Sequence, residues 1–182
     1  MKTERLLMRQ WRDEDYPLFA SMGVDKQVMR YFPELLSRQE SDRLAGLIRS
    51  RIEENGWGFW AVELLETKEF IGFVGINIPH YEIPVSPCLE IGWRLARKYW
   101  GQGYATEAAN KALAFAFTQL DYDTVYSFAV KENIKSQAVM QRLGLEKMDI
   151  VFNHPMVPED SDLSEHVLYR IRKQCWLKNN FL

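Results

Sequence analysis

The sequence predicts one mixed α/β domain, in which strands and helices alternate. Residues 38–55 predict an amphipathic helix, because a serine followed three residues later by a glutamate forms a capping signal before apolar residues at helical spacing. The strand-like runs 57–65 and 69–78 are joined by a short polar segment, which predicts an antiparallel hairpin. The runs 89–95 and 125–130 are also strand-like, and a helical pattern follows each. Hairpins and strand–helix alternation together predict helices packed on a mixed sheet.

The remaining elements follow from local turn and capping signals. Residues 6–11 predict a first strand, and the acidic residues 13–15 before Pro17 are typical of a helix start, with an end near Gly23. The other predicted elements are, in order, a turn at 26–30, a loop at 79–87, a helix at 104–120, a helix capped by Asn133 and stopped by Gly144, a strand at 148–152, a polar loop at 153–164 and a strand at 165–171.

Composition excludes several classes of protein. The chain has 182 residues, of which 47% are hydrophobic and 13% aromatic, so it is long and apolar enough for one globular domain over residues 1–182 with a sizeable core. The formal net charge of −2 argues against a nucleic-acid partner, since nucleic-acid binders usually carry a basic face. A slightly acidic protein suits a cationic partner such as an amine.

Cysteine content and apolar runs indicate the compartment. Cys88 and Cys175 are too few for a disulfide framework, and they predict free thiols in a reducing environment. The first apolar run is too short for a signal peptide, and no run approaches the roughly 20 residues of a membrane span. We therefore expect a soluble cytoplasmic protein without a membrane partner, as a monomer or homodimer, and no pattern indicates a metal site.

The segment from Glu90 to Ala108 predicts an anion site. A strand-like run passes a basic elbow, turns on Gly101 and Gly103, and enters a run rich in alanine. Glycines let successive backbone N–H groups point inward, and a helix N-terminus adds unpaired donors and the positive end of its dipole. A phosphate or pyrophosphate fits such a turn. The alternative is a plain strand-to-helix connection that needs glycine for its bend.

Three motifs, of which the first lies in this segment, together resemble those of a known family. Residues 100–108, with Asn133-Ile134-Lys135-Ser136 and the run 142–145, resemble the acetyl-CoA site of GNAT-family N-acetyltransferases. The opening run 4–9 is similar to the branch that contains the bacterial ribosomal-protein N-terminal acetyltransferases. The resemblance extends from about residue 3 to about residue 172, and it depends on the combination of motifs.

The resemblance implies a fold, a donor and a donor site. The fold would be a mostly antiparallel twisted sheet of about seven strands and about four helices, with two strands splayed apart at acetyl-CoA. Trp100 stands where the family signature has Arg or Gln, a position that chiefly contributes its backbone. Trp93 and Leu95 would pair with the pantetheine arm through their backbone, while their side chains pack in the core. The implied donor-binding residues are Trp93, Leu95, Trp100, Gly101, Gln102, Gly103, Tyr104, Ala105, Thr106 and Asn133.

The resemblance also suggests how protons would move. Many GNAT enzymes place a tyrosine seven residues after the asparagine, but this chain has Met140 there, and Ser136 is then the candidate acid, with a water as the alternative. Glu90 is the best-placed carboxylate for a base, and it is equally compatible with an exposed strand end. His154 and His166 are alternative bases. Neither cysteine lies in the catalytic segment, so we expect direct attack by the amine.

The acceptor remains the least specified part of the site. The family builds its acceptor pocket from segments that correspond to 31–36 and 153–164. Acidic residues in these segments either attract a cationic amine or form a solvated face. These residues are Glu34, Glu159, Asp160 and Asp162. The candidate acceptors are a protein N-terminus, a polyamine, an amino acid and an aminoglycoside-like drug, and the resemblance favours a protein N-terminus or a small amine.

Two other functions are compatible with parts of the sequence. A dinucleotide-binding oxidoreductase would also place Gly101 and Gly103 between a strand and a helix, but its third glycine is replaced by Thr106 and no acidic residue follows at the expected spacing. A non-catalytic acyl-CoA-binding module would explain the departures at Trp100 and Met140. It would bind acetyl-CoA without transferring the acetyl group.

Overall fold

The computed structural model describes residues 1–181, and side chains through residue 178. The described residues form seven strands, five α-helices and a short 3-10 helix at Arg97–Tyr99. The strands are β1 (Leu6–Arg9), β2 (Phe59–Leu64), β3 (Phe70–Asn77), β4 (Glu90–Leu95), β5 (Thr124–Val130), β6 (Glu146–Asn153) and β7 (Glu165–Arg172). The helices are α1 (Asp15–Gly23), α2 (Arg38–Asn55), α3 (Tyr104–Thr118), α4 (Ile134–Arg142) and α5 (Lys173–Phe181).

The strands form one mixed sheet in the order β1-β2-β3-β4-β5-β7-β6. The pairs β1/β2, β2/β3, β5/β7 and β6/β7 are antiparallel, and β4 pairs with β5 in parallel where Glu90 lies opposite Tyr126. The predicted α/β class with a mostly antiparallel sheet is confirmed. A doubly wound oxidoreductase would instead need a mainly parallel sheet.

The chain divides into two compact units, each assembled from separate stretches of sequence. The first unit contains residues 1–76 and 92–112, and the second contains residues 77–91 and the chain from 113 onward. The first unit therefore holds β1, β2, α1 and α2, and the second holds β5, β6, β7, α4 and α5.

An aromatic cluster fills the core of the first unit. The buried indole of Trp11 lies 5.1 Å from the ring of Phe19 and 5.4 Å from that of Phe70, measured between centroids. Its N–H donates to the carbonyl oxygen of Phe59 at 2.9 Å, so the polar atom of this large side chain is satisfied. Phe73 joins the same cluster, 5.9 Å from Phe19. These contacts connect α1 with β2 and β3.

A buried ion cluster stabilises the same unit. The guanidinium of Arg9 binds both carboxylate oxygens of Asp15, at 2.7 and 2.9 Å, and binds Glu63 at 2.8 Å. The side chains of these residues are only 10%, 1% and 5% exposed, respectively. Burial lowers the pKa of Arg9, but the hydrogen bonds from Asp15 and Glu63 outweigh it and raise the pKa above its ordinary value. The cluster connects β1, β2 and α1.

Glycine at position 72 permits β3 and β4 to approach closely. Gly72 has a φ of 135°, and a Cβ there would meet the carbonyl oxygen of Arg94 and lie 2.8 Å from the Cα of Leu95. Any larger residue would therefore push apart the backbones of the two strands.

The second unit ends in a helix that the sequence patterns did not predict. Within α5, the buried indole of Trp176 packs on Phe117 with centroids 5.5 Å apart. Lys173 begins the helix, and its amine pairs with Asp121. This helix is short and largely polar, so its stability comes from tertiary packing rather than from local periodicity.

The predicted bounds of most elements agree with the structure within a few residues. The bounds of α2 are those predicted, and its capping box between Ser37 and Glu40 is present. β1 ends at Arg9 rather than Trp11, α3 ends at Thr118 rather than 120, and β6 begins at Glu146 rather than 148. Among the helices of residues 1–181, none is long and apolar enough to cross a membrane.

Removal of the cation from the buried ion cluster should destabilise the protein strongly. Arg9→Met leaves Asp15 and Glu63 buried without their main partner, so the free energy of unfolding should fall by about 3–5 kcal/mol. Urea denaturation followed by circular dichroism measures this change. The control is Arg38→Met, which removes an exposed pair with Asp42 and should cost less than about 1 kcal/mol. An equal loss of unfolding free energy in the two variants would show that the buried cluster contributes no more to stability than an exposed ion pair.

Candidate active site

The turn between β4 and α3 has a backbone that only glycine adopts easily. Gly101 and Gly103 have φ angles of 75° and 81°, in the left-handed region. The amide of Glu107 donates to the carbonyl oxygen of Gly103 at 2.9 Å, which closes the first turn of α3. The backbone amides from 104 to 106 therefore precede the hydrogen-bonded ladder of the helix. The arrangement supplies several N–H groups and the positive end of a helix dipole to an anion.

A contact between the N-terminal segment and α3 holds this turn in place. The backbone amide and Nε of Arg5 donate to the two carboxylate oxygens of Glu107, at 2.9 and 2.7 Å. Nη1 of Arg5 donates to the carbonyl oxygen of Gln102 at 3.0 Å, and its guanidinium lies 4.5 Å from the ring centroid of Tyr104. We call this set of contacts the Arg5–Glu107 clamp.

The clamp keeps the carboxylate of Glu107 ionised. Burial raises the pKa of Glu107, but hydrogen bonds from Thr3 and Arg5 outweigh it and hold the pKa below its ordinary value. Sequence reasoning missed this role. The only signal was Arg5 in the opening run that resembles the ribosomal-protein branch, and that run carried no information about its partner.

The end of β4 is tied to the turn by Trp100. The indole N–H of Trp100 donates to the carbonyl oxygen of Leu95 at 2.8 Å. Trp100 therefore contributes a structural hydrogen bond through its side chain, a role that the family comparison did not suggest. The side chain of Leu95 is buried, as predicted for core packing, whereas Trp93 is half-buried.

Asn133 and Ser136 lie together at the start of α4, in the second unit. The side-chain oxygen of Asn133 accepts a hydrogen bond from the amide of Ser136 at 3.2 Å, so the predicted helix cap is confirmed. Ser136 is half-buried. Met140, which stands where many family members have tyrosine, is 1% exposed and belongs to the core.

Glu90 is half-buried at the start of β4 and has a polar neighbour. Nδ2 of Asn77 lies 3.4 Å from a carboxylate oxygen of Glu90. Burial, together with the charge of Glu90, raises the pKa of the buried thiol of Cys88 to about 11. A thiol with this pKa stays protonated near neutral pH and is a poor nucleophile.

The two candidate histidine bases lie in an aromatic cluster of the second unit. The rings of His154 and His166 are 4.8 Å apart, and Phe128 and Phe152 pack around them. Nε2 of His154 lies 3.1 Å from the hydroxyl of Tyr81. Burial, with a smaller contribution from the nearby His166, lowers the pKa of His154 to about 4, and burial also lowers the pKa of His166. Both rings are therefore neutral near pH 7, and their basicity is reduced.

The acidic residues predicted near the acceptor are all exposed to solvent. These residues are Glu34 in the first unit and Glu159, Asp160 and Asp162 in the second. Phe32, in the segment between α1 and α2, packs over the guanidinium of Arg94, with Cζ 3.9 Å from the ring centroid. Sequence analysis did not single out Arg94.

Two known acetyltransferases are similar to this chain in sequence. The FsC-acetyl coenzyme A-N(2)-transacetylase of Aspergillus fumigatus is 35% identical over 98% of this chain and 78% of its own length. The "putative ribosomal N-acetyltransferase YdaF" of Bacillus subtilis is 38% identical over 55 residues, about 30% of each chain.

A solved structure and a family model extend the comparison. The crystal structure of an acetyltransferase (GNAT family) from Bacillus anthracis superposes with a TM-score of 0.78, at 23% identity, over 96% of this chain and 98% of its own; this likeness concerns the fold. The family model described as "Acetyltransferase (GNAT) domain" matches residues 5–146, more than half of the sequence. With that match and the A. fumigatus relative, the chain belongs to the GNAT acetyltransferases.

Proposed function

We propose that this protein transfers the acetyl group of acetyl-CoA to a primary amine by direct attack, with both substrates bound at once. GNAT acetyltransferases use acetyl-CoA as the donor. The observation that carries the proposal is the left-handed glycine turn at the start of α3, which presents amides 104–106 and is braced by the Arg5–Glu107 clamp. Such a turn fits an anionic group as large as a pyrophosphate.

The donor would be held mainly by backbone groups. Amides from Gly101 to Thr106 would bind the pyrophosphate, with Trp100, Gln102 and Tyr104 shaping the turn. Backbone groups of Trp93 and Leu95 would pair with the amides of the pantetheine arm. In the second unit, we propose Asn133 as a further donor-binding residue. The indole bond from Trp100 to the Leu95 carbonyl supports a fixed end of β4, which pre-organises these backbone groups.

The reaction requires two proton movements. The lone pair of the amine attacks the thioester carbonyl carbon, an N–C bond forms, and the C–S bond breaks with its electrons going to sulfur. The amine loses a proton to a base, for which we propose Glu90, and the thiolate gains one from an acid, for which we propose Ser136. Met140 is buried and has no proton to give.

The histidines are weaker candidates for the base than Glu90. His154 is buried among aromatic rings, engages the Tyr81 hydroxyl, and has a pKa of about 4. We therefore assign His154 and His166 to the packing of β6 and β7.

The proposed acceptor is a small amine or a protein N-terminus in an aqueous, cytoplasmic setting. The acidic residues at 34 and 159–162 would attract its positive charge.

Substitution of Gly103 tests the proposed donor site. Gly103→Trp should weaken acetyl-CoA binding by more than about tenfold, because the indole would occupy the space of the pyrophosphate and the φ of 81° disfavours any side chain. Isothermal titration calorimetry measures the affinity. The matched control is Gly56→Trp, which should keep the affinity of the wild type, since Gly56 also has a left-handed φ of 78° but caps the C-terminus of α2. Unchanged affinity in Gly103→Trp would refute the donor site.

Turnover tests the proposed chemistry and the role of Ser136. The wild type should release free thiol from acetyl-CoA only when an amine acceptor is present. Ser136→Ala should lower kcat by about 100-fold, because the leaving thiolate loses its proton donor, while acetyl-CoA affinity stays nearly the same. A thiol-specific dye follows the reaction across a panel of primary amines.

Two results would count against this assignment. Ser50→Ala, which removes an exposed hydroxyl on α2, should leave turnover intact, and an equal rate in Ser136→Ala would exclude Ser136 as the acid. Acetyl-CoA binding without thiol release for any amine would favour the non-catalytic acyl-CoA-binding module instead.

A further inference from the structure

Arg94, in β4, carries two buried donors that lack a partner. The N–H groups on its Nε and Nη1 are buried and donate to no acceptor among the residues that the structure describes. Burial lowers the pKa of Arg94 to about 10, so the guanidinium is still charged near neutral pH. A buried cation with unmet donors is uncommon, because each unpartnered N–H has lost its water without compensation.

Aromatic rings surround this cation, but they do not replace the missing acceptors. Its Cζ lies 3.9 Å from the ring centroid of Phe32, 5.6 Å from that of Phe73 and 5.8 Å from that of Phe19. Aromatic faces stabilise the charge of a guanidinium. The N–H groups, however, point outward in the guanidinium plane, where they need oxygen lone pairs. The environment therefore favours the cation and leaves its hydrogen-bonding edge unsatisfied.

Arg9 shows how this chain satisfies a buried arginine that has a structural role. Arg9 lies in the same unit, and each of its three guanidinium nitrogens donates a hydrogen bond to a carboxylate oxygen of Asp15 or Glu63. No equivalent carboxylate among the described residues binds the Nε or Nη1 of Arg94. A carboxylate, the group that binds Arg9, would satisfy these donors.

The side chain of Arg94 extends from β4 toward the segment between α1 and α2. Arg94 lies between Trp93 and Leu95, and successive side chains of a strand point to opposite faces. Its side chain therefore projects from the face of the sheet opposite to the side chains of Trp93 and Leu95. Phe19 and Phe32 lie on this face. Phe32 is 37% exposed and belongs to the segment between α1 and α2. Of the three rings around the guanidinium, only Phe32 is exposed to solvent, so an acceptor carboxylate would have to reach the guanidinium past Phe32.

We propose that Arg94 binds a carboxylate of the acceptor, so that the acceptor is a small molecule carrying both a primary amine and a carboxylate, as a free amino acid does. This inference rests on the proposed acetyl transfer and narrows its acceptor class. A carboxylate on either edge of the guanidinium supplies the in-plane oxygens that Nε or Nη1 lacks, as in other arginine–carboxylate pairs. A protein N-terminus has no carboxylate fixed beside its amine and would leave these donors unmet.

Matched pairs of acceptors test the inference. The pairs are L-phenylalanine with phenethylamine, L-leucine with isoamylamine, and L-lysine with cadaverine, each assayed by thiol release from acetyl-CoA. The wild type should use the carboxylate-bearing member about 10- to 100-fold better in kcat/KM, as expected for a hydrogen bond between charged groups. Arg94→Met should abolish this preference, chiefly through KM, with acetyl-CoA affinity unchanged.

Two further variants separate binding from folding. Arg94→Lys keeps the charge and should retain part of the preference. Arg43→Met removes an exposed arginine of α2 and should retain all of it. If Arg94→Met only lowers the melting midpoint while its preference equals that of the wild type, Arg94 serves the packing of Phe32 and the inference is wrong. Equal use of both members of each pair by the wild type also overturns it.

A binding measurement covers the case in which no amine is turned over. That result would contradict the proposed transfer reaction, whereas the carboxylate site is then judged by binding of a product analogue. In the presence of CoA, N-acetyl-L-phenylalanine should raise the melting midpoint of the wild type more than that of Arg94→Met. An equal effect on the two proteins would overturn the carboxylate site.

Discussion

The left-handed turn at Gly101 and Gly103 is the constraint on which the proposed function depends. In this conformation a residue with a side chain would cost about 1–2 kcal/mol at each position. The turn brings the chain from β4 into α3, whose first amides have no partner within the helix.

Contacts from distant parts of the sequence keep this turn rigid. Arg5 and Glu107 are 102 residues apart, and their hydrogen bonds hold the start of β1 against the first turn of α3. On the other side, Trp100 fixes the carbonyl of Leu95 at the end of β4. Because neither contact relies on a ligand, the amides are arranged before the donor arrives, which reduces the entropy lost on binding.

The features that could be predicted from the sequence are those that depend on residues close to one another in the chain. The capping box of α2, the hairpin between β2 and β3 and the cap at Asn133 each depend on residues within a few positions, so their patterns are visible in the sequence. The glycine turn was visible for the same reason. The fold class followed because hydrophobic periodicity and the family motifs agreed with each other.

Features that depend on long-range contacts were missed. The clamp between Arg5 and Glu107 joins two segments with no local signal of pairing, and α5 depends on packing of Trp176 rather than on an amphipathic pattern. The unpartnered guanidinium of Arg94 was also missed, because a single arginine in a strand indicates neither its burial nor its lack of an acceptor. Conversely, His154 was considered as a base, and its burial among aromatic rings explains why that role is weak.

Thermal unfolding with acetyl-CoA, CoA and NADH, each at several concentrations, tests most directly whether the glycine turn binds the donor. A ligand at about 100 times its Kd stabilises the native protein by about 2.7 kcal/mol, which shifts the melting midpoint measurably. We expect a concentration-dependent shift with acetyl-CoA and CoA, and none with NADH. The absence of a shift with acetyl-CoA would mean that the glycine turn does not bind the donor.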